Sequence, residues 1–290
     1  MLTFRCNCCK SNRCRLFPES ITKPMSVVMC RDCGLVATYP GLNEDSINKY
    51  YKSEFDGDPG AKSPSVHVEQ NALKSALAEI NRHTVPIIEK WIDPKGKDWL
   101  EIRFRTGAFL KYLSDKGANV FGADLFQKNI DRASSFVDPS HLFSTTVHTL
   151  CEEIEHEFDV ISGVSIHVLS HLPDPTRALA TFKKMLKPNG LLIFEEKDIT
   201  KIPNYAKTLP LVHPNPVAHY HHFTFETCQN LLIQNGYQIL FAEFIDRSSD
   251  LRHFLIIAKE GEAKALRQLS SNDDFEHKFD ELVKLHTAKS

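Results

Sequence analysis

From residue 97 onward, short apolar runs alternate with segments whose apolar residues recur at helical spacing. The runs predict five strands, namely DWLEI (98–102), NVFGAD (119–124), HLFSTTV (141–147), FDVISGV (158–164) and LLIFEE (191–196). Three helices are predicted between them, over 109–116, 127–135 and 175–186. Strands that alternate with helices form a parallel sheet covered on both faces. The pattern therefore predicts an α/β domain over residues 97–260.

The same pattern predicts how this domain ends and what flanks it. A helix over 224–234 ends at Asn235-Gly236, and YQILFAEF (237–244) and HFLIIAK (253–259) follow it as a hairpin. Upstream, a helical pattern runs from about 68 to 91 within a helical linker over 41–96, in which Asn43 to Tyr51 favours a short helix. Residues 56–65 are rich in turn formers and predict a surface loop. Residues 261–290 predict a charged helical tail.

Cysteine spacing gives the first chemical signal. Cys6-x2-Cys9 and Cys30-x2-Cys33 are two knuckles of the kind that together complete a tetrahedral Zn²⁺ shell. Because all four positions are filled, the site is expected to be structural, within a zinc ribbon over residues 1–40. Cys8 and Cys14 are spare, and Cys8 could replace one of the four ligands.

The composition of the chain limits the classes of partner and the cellular location that are expected. Lys and Arg number 35 against 37 Asp and Glu, which leaves a net charge of -2 and gives no general reason to expect a nucleic-acid or membrane-surface binder. No apolar stretch reaches the ~18 residues that a membrane span needs, and the opening segment lacks the apolar centre of a secretory signal. A cytoplasmic protein is expected, without a disulfide framework. The sequence leaves open whether the protein binds a protein partner.

The order of elements and the local wording resemble class I S-adenosylmethionine-dependent methyltransferases. FDVISGVSIHVLSHLPDPTRALATFKKMLKPNGLLIFEE is similar to that family's region of strands four and five, and HFTFETCQNLLIQNGYQI to its last helix before the hairpin. The knuckles followed by GLVATYP resemble the zinc domain that precedes some of these enzymes, notably sugar-modifying ones. The resemblance implies a Rossmann-like seven-stranded sheet, parallel with a terminal antiparallel hairpin, beside the small zinc-ribbon-like domain.

The cofactor loop departs from the family pattern. After the first strand the chain has Glu101 and Gly107 where the family pattern fits, but Arg103 and Arg105 where the family has glycine. A left-handed conformation costs a non-glycine residue ~1–2 kcal/mol. The arginines could point away or pair with the carboxylate of the cofactor. They could also mark a loop that no longer binds it, or one that holds another anion.

Further cofactor positions follow the second and third strands. Asp124 ends the second strand, where the family commonly binds ribose hydroxyls; this role is favoured over that of an acid at the start of the following helix. Glu152 or Glu153 follows the third strand, near where the resemblance places adenine, and either could instead be a solvated charge. The resemblance thus implies S-adenosylmethionine at Glu101, Arg103, Arg105, Gly107, Asp124 and Glu153.

Histidines are the candidates for catalysis, because methyl transfer often needs only a base and good alignment. His167 and His171 flank the loop after the fourth strand, at the edge where α/β ligands bind. A second cluster, His219 to His222, precedes the last helix, and its histidines could alternatively hold a second metal. His171, His222 and His221 are the predicted catalytic residues. Glu195 and Glu196 follow the fifth strand and face the same edge.

Two functions remain open from the sequence. The favoured one is an enzyme, a methyltransferase that acts on a small molecule such as a sugar nucleotide or a natural-product intermediate and carries a structural zinc. The alternative is a binding or scaffold protein that keeps the fold but does not bind S-adenosylmethionine because of Arg103 and Arg105. The fold alone does not separate the two.

Overall fold

The structure, a computed structural model, describes residues 4–17, 26–40, 66–165, 167–200, 220–245, 252–262 and 277, with residues 66–70 described in their backbone only. The strands in these ranges are β1 Cys14–Phe17, β2 Ser26–Cys30, β3 Val36–Tyr39, β4 Asp98–Ile102, β5 Asn119–Asp124, β6 Leu142–Ser144, β7 Phe158–Gly163, β8 Leu186–Lys197, β9 His221–His222, β10 Tyr237–Ile245 and β11 His253–Glu260. The α-helices are α1 Val66–His83, α2 Val85–Ile88, α3 Ala108–Asp115, α4 Gln127–Ala133, α5 Leu150–Glu153, α6 Pro175–Met185 and α7 Phe225–Gln234.

A seven-stranded mixed sheet forms the larger part of the molecule, as the sequence predicts. Its strand order is β10-β11-β8-β7-β4-β5-β6, in which β11 is antiparallel to both of its neighbours and the other pairs are parallel. The carboxyl ends of β4 to β8 therefore meet at one edge, where α/β proteins bind their ligands. The closing hairpin of β10 and β11 lies beside β8.

Alternating side chains of the central strands supply two buried layers. On β4, Leu100 and Ile102 join one layer, while Trp99 joins the other, and all three are fully buried. A strand that is buried on both faces carries apolar side chains in both directions, which is why DWLEI has little polar alternation. Helices pack on both faces: α6 and α7 contribute to the first layer, and α1 to α4 to the second.

The smaller sheet has four strands in the order β1-β2-β3-β9 and is antiparallel. Its last strand comes from residues 221–222, far along the chain, where Val36 pairs with His222 and Ala37 with His221. The cysteine-bearing segment also shares a buried core with the larger domain, through residues such as Cys6 and Phe223. The ribbon predicted over residues 1–40 is thus completed by the other domain.

Three elements differ from the predicted boundaries by more than two residues. The long helix predicted over 68–91 ends at His83, and α2 begins at Val85, because Pro86 has no N–H to continue the α1 ladder. The fifth strand begins at Leu186, with a register irregularity opposite Phe158 and a positive φ of 63° at Asn189. The third strand is only three residues long.

Several predictions lie outside the described residues. They are the short helix over Asn43 to Tyr51, the loop over 56–65, His219, and nearly all of the tail over 261–290. In the part of the chain that is described, no helix combines the length and the apolar character needed to cross a membrane.

Candidate active site

The two cysteine knuckles come together at the base of the smaller sheet. The sulfurs of Cys6, Cys9, Cys30 and Cys33 all lie within 4.8 Å of one another. Two of the distances are 3.4 Å, from Cys6 to Cys33, and 3.5 Å, from Cys9 to Cys30. Four thiolates around Zn²⁺ at about 2.3 Å lie about 3.8 Å apart, so this group fits a tetrahedral zinc ion.

Neither spare cysteine belongs to that group. Cys8 turns its sulfur toward the side-chain oxygen of Gln234 at 3.5 Å, at the end of α7, and Cys14 begins β1. Cys8 therefore contacts the larger domain, which leaves the four knuckle cysteines as the ligand set that the geometry favours.

The loop after β4 keeps a glycine-like backbone although arginine occupies two of its positions. Arg103 has a φ of 54°, Arg105 a φ of 50° and Gly107 a φ of 76°. Backbone bonds fix the two arginines, because Arg103 donates its N–H to the Ala123 carbonyl at 2.6 Å and Arg105 donates to Asp124 Oδ2 at 3.0 Å. The predicted backbone strain at both arginines is therefore present in the fold.

Gly107 has both a conformational and a steric reason to be glycine. A Cβ there would lie 2.8 Å from Cζ of Phe136, and its φ of 76° lies in the left-handed region. The residue immediately precedes α3, so it sets the direction in which that helix leaves the loop.

Glu101 lies beneath the loop after β7 and is fully buried. Its Oε1 accepts the backbone N–H groups of Val164 at 3.1 Å and Ser165 at 3.0 Å, and its Oε2 accepts the hydroxyl of Ser162. Burial raises the pKa of Glu101 to about 7, against the opposing effect of these hydrogen bonds. In this arrangement Glu101 holds the loop after β7 in place.

Asp124 ends β5, as predicted, and is 2 % exposed. Besides the Arg105 N–H, its carboxylate accepts the N–H of Phe126 at 3.0 Å and the side-chain amide of Asn129 at 3.1 Å. These three donors give Asp124 the task of fixing the turn into α4. A ribose hydroxyl would have to share the same carboxylate.

A cleft of about 440 Å³ opens at the carboxyl ends of β4, β5 and β6. Its lining comes from the ends of these strands and from the segment after the fourth parallel strand, namely Ile102, Arg103, Ala123, Leu125, Thr145, Thr146, Val147, His148, His171, Leu172 and Pro173. Arg103 contributes a positive charge to its largely apolar wall. Arg105 is exposed and does not line the cleft. Arg103 and Arg105 therefore have different surroundings, although the sequence predicted the same role for both.

His171 is the predicted catalytic residue that reaches the cleft. It ends a short 3-10 turn, Leu169–His171, and is 6 % exposed. Glu196 anchors this turn: its Oε1 accepts the N–H of Leu169 at 2.7 Å, and its Oε2 accepts the Ser170 hydroxyl at 2.5 Å. Burial raises the pKa of Glu196 to about 8. Glu196 thus acts as the support of His171 at this edge.

The structure favours a structural role for His221 over the predicted catalytic one. Its Nδ1 lies 3.0 Å from the Leu172 carbonyl and its Nε2 lies 3.0 Å from the Asn7 amide nitrogen. The carbonyl requires a proton on Nδ1, so Nε2 accepts from Asn7 and the ring is neutral. Burial lowers the pKa of His221 to about 4. Both ring nitrogens are therefore engaged by the chain.

His222 lies next to His221 on β9 and is 1 % exposed. Among the described residues that line the cleft, His148 and His171 appear and the two β9 histidines do not. Neighbouring strand residues point to opposite faces, so His221 and His222 are poorly placed to share a metal ion. Sequence reasoning missed His148, although it follows the third strand at the ligand edge and is 5 % exposed.

Glu153, the acidic residue predicted to bind the cofactor after the third parallel strand, does not line the cleft. Glu153 is exposed on α5 and accepts a hydrogen bond from the Thr145 hydroxyl. Because Thr145 itself lines the cleft, Glu153 can influence a ligand there by fixing Thr145.

S-Adenosylmethionine, which the predicted family uses, fits the residues that form the cleft. Arg103 supplies hydrogen-bond donors at its wall, and the hydroxyl oxygens of Thr145 and Thr146 are further polar atoms there. The apolar wall from Ile102, Val147 and Leu172 offers a surface for a base. No part of the described lining carries a carboxylate that would repel a carboxylate ligand.

Comparison with known proteins agrees with this geometry. Residues 73–241, more than half of the chain, match the family described as "Methyltransferase domain". The chain therefore belongs to the methyltransferase-domain family. Together with the seven-stranded sheet, this confirms the fold class that the sequence predicts.

Curated relatives share this domain at low identity. The chain is 27 % identical over 165 residues to the ubiquinone biosynthesis O-methyltransferase of Coxiella burnetii (strain RSA 331 / Henzerling II), which covers 53 % of this chain and 64 % of that protein. It is 28 % identical over 118 residues to the protein of the same name from Pseudomonas entomophila (strain L48), with 38 % and 50 % covered. The chain thus spans about half to two thirds of the length of these relatives.

Among solved structures, the chain is similar to the Burkholderia thailandensis 1,6-didemethyltoxoflavin-N1-methyltransferase, whose crystal structure has 1,6-didemethyltoxoflavin and S-adenosylhomocysteine bound. The TM-score is 0.51 at 14 % identity, and the match covers 86 % of this chain and 100 % of that chain. At this identity the likeness supports the fold.

Proposed function

We propose that the protein is an S-adenosylmethionine-dependent methyltransferase that methylates a hydroxyl group of a small molecule. The observation that carries the proposal is the cleft at the carboxyl ends of β4, β5 and β6, with His171 held at its wall by a buried carboxylate. The family match and the curated O-methyltransferases point the same way.

The loop after β4 and the ends of β5 and β6 would hold S-adenosylmethionine. Arg103 would pair with its carboxylate, because the guanidinium is the charged group of the lining and forms strong charge-assisted bonds with carboxylates. Asp124, with Thr145 and Thr146, would bind the ribose and the base. When bound, this cofactor supplies a methyl group on a positively charged sulfur.

His171 would accept the proton of the acceptor hydroxyl, since a buried imidazole at the cleft wall is a suitable base near neutral pH. Glu196 would keep the Leu169–His171 turn in place while the proton moves. The apolar side chains of the cleft wall would keep water away from the acceptor oxygen, which favours transfer over side reactions.

The zinc domain would support this site from below. Asn7, between the knuckle cysteines, donates to the Pro173 carbonyl at 3.1 Å and to His221, which in turn binds Leu172. Leu172 and Pro173 line the cleft, so a zinc ion at the four cysteines would stabilise one wall of it.

Release of S-adenosylhomocysteine with an acceptor panel tests the activity. The panel contains phenols, chosen because the curated relatives are named as ubiquinone biosynthesis O-methyltransferases, and sugar nucleotides, chosen because of the zinc-domain resemblance. With an acceptor that turns over, His171→Asn should lower kcat by ~10²–10⁴-fold, the usual contribution of a general base, while the affinity for S-adenosylmethionine stays within a few-fold.

His148→Asn is the matched comparison, because His148 lines the same cleft and lies on another segment. A kcat that falls with His148→Asn and not with His171→Asn would move the base to His148. The alternative function, a scaffold that does not bind S-adenosylmethionine, predicts no cofactor binding and no turnover with any acceptor.

A further inference from the structure

Three side chains with metal-binding chemistry meet on the half of the sheet away from the cleft. His167 follows β7, Glu195 lies near the end of β8, and His253 is the first residue of β11. One ligand atom from each lies within 4.8 Å of the others. Glu195 is 1 % and His253 5 % exposed, while His167 is half-buried. Three separate segments thus converge on one point at the carboxyl edge.

The distances suit a shared ion. Nδ1 of His253 lies 3.0 Å from Oε1 of Glu195. Two ligands at about 2.1 Å from an ion and at right angles to each other lie about 3.0 Å apart, which is the separation of this pair. The ring centroids of His167 and His253 lie 4.9 Å apart, with planes at 62°. Small side-chain rotations would bring the third ligand to bonding distance.

A second polar contact orients the carboxylate. The Thr84 hydroxyl, between α1 and α2, donates to Oε2 of Glu195 at 3.2 Å. This bond occupies the oxygen that faces the helices and turns Oε1 toward the histidines. Partners of this kind fix metal-ligating carboxylates in known sites.

A plain hydrogen-bonded pair explains less of the cluster. Such a pair needs only Glu195 and His253, whereas a second imidazole stands at the same point. Two imidazoles and one carboxylate are a donor set that suits divalent transition ions such as Zn²⁺, Fe²⁺, Co²⁺ and Ni²⁺ better than Mg²⁺ or Ca²⁺. Three protein ligands also leave coordination positions open.

We propose that His167, Glu195 and His253 bind one divalent transition-metal ion, at a site separate from the four knuckle cysteines. The ion would tie the segment that leads into the Leu169–His171 turn to β8 and β11. The proposal requires neither S-adenosylmethionine binding nor methyl transfer, so it stands or falls apart from the proposed function.

The test uses Co²⁺ as the probe on the full chain, purified with its cysteine site loaded with zinc. Equilibrium dialysis gives the number of Co²⁺ ions bound per chain, and absorption shows whether sulfur is among the ligands. One Co²⁺ per chain without a sulfur-to-cobalt charge-transfer band is expected. Glu195→Gln and His253→Asn should each weaken its binding by roughly 100-fold or more, at or beyond the upper end of losses seen for outer-shell partners.

His277→Asn is the control, because His277 is exposed and lies outside the cluster. It should leave Co²⁺ binding unchanged. If either buried variant loses its native circular dichroism, His167→Asn decides, since His167 is only half-buried. Absence of bound Co²⁺, Co²⁺ found only at sulfur ligands, or unchanged affinity in a folded variant of the cluster would each overturn the proposal.

Discussion

Substitution of Arg105 by glycine should stabilise the protein, and the structure explains why. Arg105 is exposed and has a φ of 50°, in the region that L-residues rarely adopt. Its two hydrogen bonds in the loop use the backbone only: its N–H donates to Asp124, and its carbonyl accepts from Nη1 of Arg132 at 3.1 Å. Glycine keeps both bonds and removes the conformational strain.

The expected size follows from two opposing effects. Left-handed backbone costs a non-glycine residue about 1–2 kcal/mol, which glycine avoids. Glycine also increases the freedom of the unfolded chain, which costs about 0.4–1 kcal/mol. The net gain is therefore roughly 0–1.6 kcal/mol for Arg105→Gly. Arg105→Ala keeps the strain, so the glycine variant should exceed the alanine variant by about 1 kcal/mol.

Urea unfolding of both variants measures the difference in the free energy of unfolding. A second pair at Lys111, within α3, serves as the control, because there glycine should be less stable than alanine by about 1 kcal/mol. The sign of the glycine–alanine difference should thus reverse between the two positions. An alanine variant at 105 that is more stable than the glycine variant would refute the reasoning about backbone strain.

Three further predictions concern the walls of the site. Because burial raises the pKa of Glu196 from 4.5 to about 8, the native state holds a proton that the unfolded state has lost, so the free energy of unfolding falls as pH rises from about 4.5 to about 8. Glutamine does not titrate, so the Glu196→Gln variant should lack this decrease in the free energy of unfolding. The free energy of unfolding of the variant, measured in urea relative to that of the wild type, should therefore rise between about pH 5 and about pH 9. Cys30→Ser should abolish stoichiometric zinc and lower the melting temperature, whereas Cys8→Ser, outside the ligand group, should retain zinc by metal analysis. Asn7→Ala should cost about 1–3 kcal/mol in urea unfolding because it leaves His221 and the Pro173 carbonyl without their donor, while Lys10→Ala, on the exposed side of the same knuckle, should cost under about 0.5 kcal/mol. Equal losses at the two positions, zinc lost from Cys8→Ser, or a pH-independent Glu196→Gln difference would contradict these expectations.

The hydrophobic pattern was sufficient to predict the large sheet because each of its strands is marked by its own run of apolar residues. DWLEI and NVFGAD occupy the predicted residues, since a strand buried on both faces needs a continuous apolar run and turn formers bound it. The break at Pro86 was also a local signal, but the helical spacing on both sides of it masked the interruption.

Pairing between distant segments was beyond the sequence. The strand His221–His222 has no strand pattern of its own, and it forms only because Val36 and Ala37 present a free edge to it. Because of this pairing, His221 and His222, which the sequence predicted to be catalytic, connect the smaller sheet to the larger domain. Similarly, nothing near His253 in the chain indicates that it lies beside His167 and Glu195, because antiparallel pairing of β11 with β8 creates that proximity.

In the cofactor loop, the family pattern predicted the backbone conformation of the two arginines but not the directions of their side chains. The sequence predicted strain at Arg103 and Arg105, and both residues have positive φ. It could not distinguish them, because the direction of each side chain depends on the surrounding fold. Arg103 faces the cleft and Arg105 faces solvent.

Calorimetric titration of the zinc-loaded protein with S-adenosylmethionine tests the central claim most directly. The account predicts saturable binding at micromolar concentration, with S-adenosylhomocysteine competing for the same site. Arg103→Ala should weaken binding by about tenfold or more, through the loss of a charge-assisted bond worth about 1.5–3 kcal/mol, and Arg105→Ala should leave it nearly unchanged. No heat up to millimolar ligand, together with no shift in melting temperature, would contradict the claim that the cleft holds this cofactor.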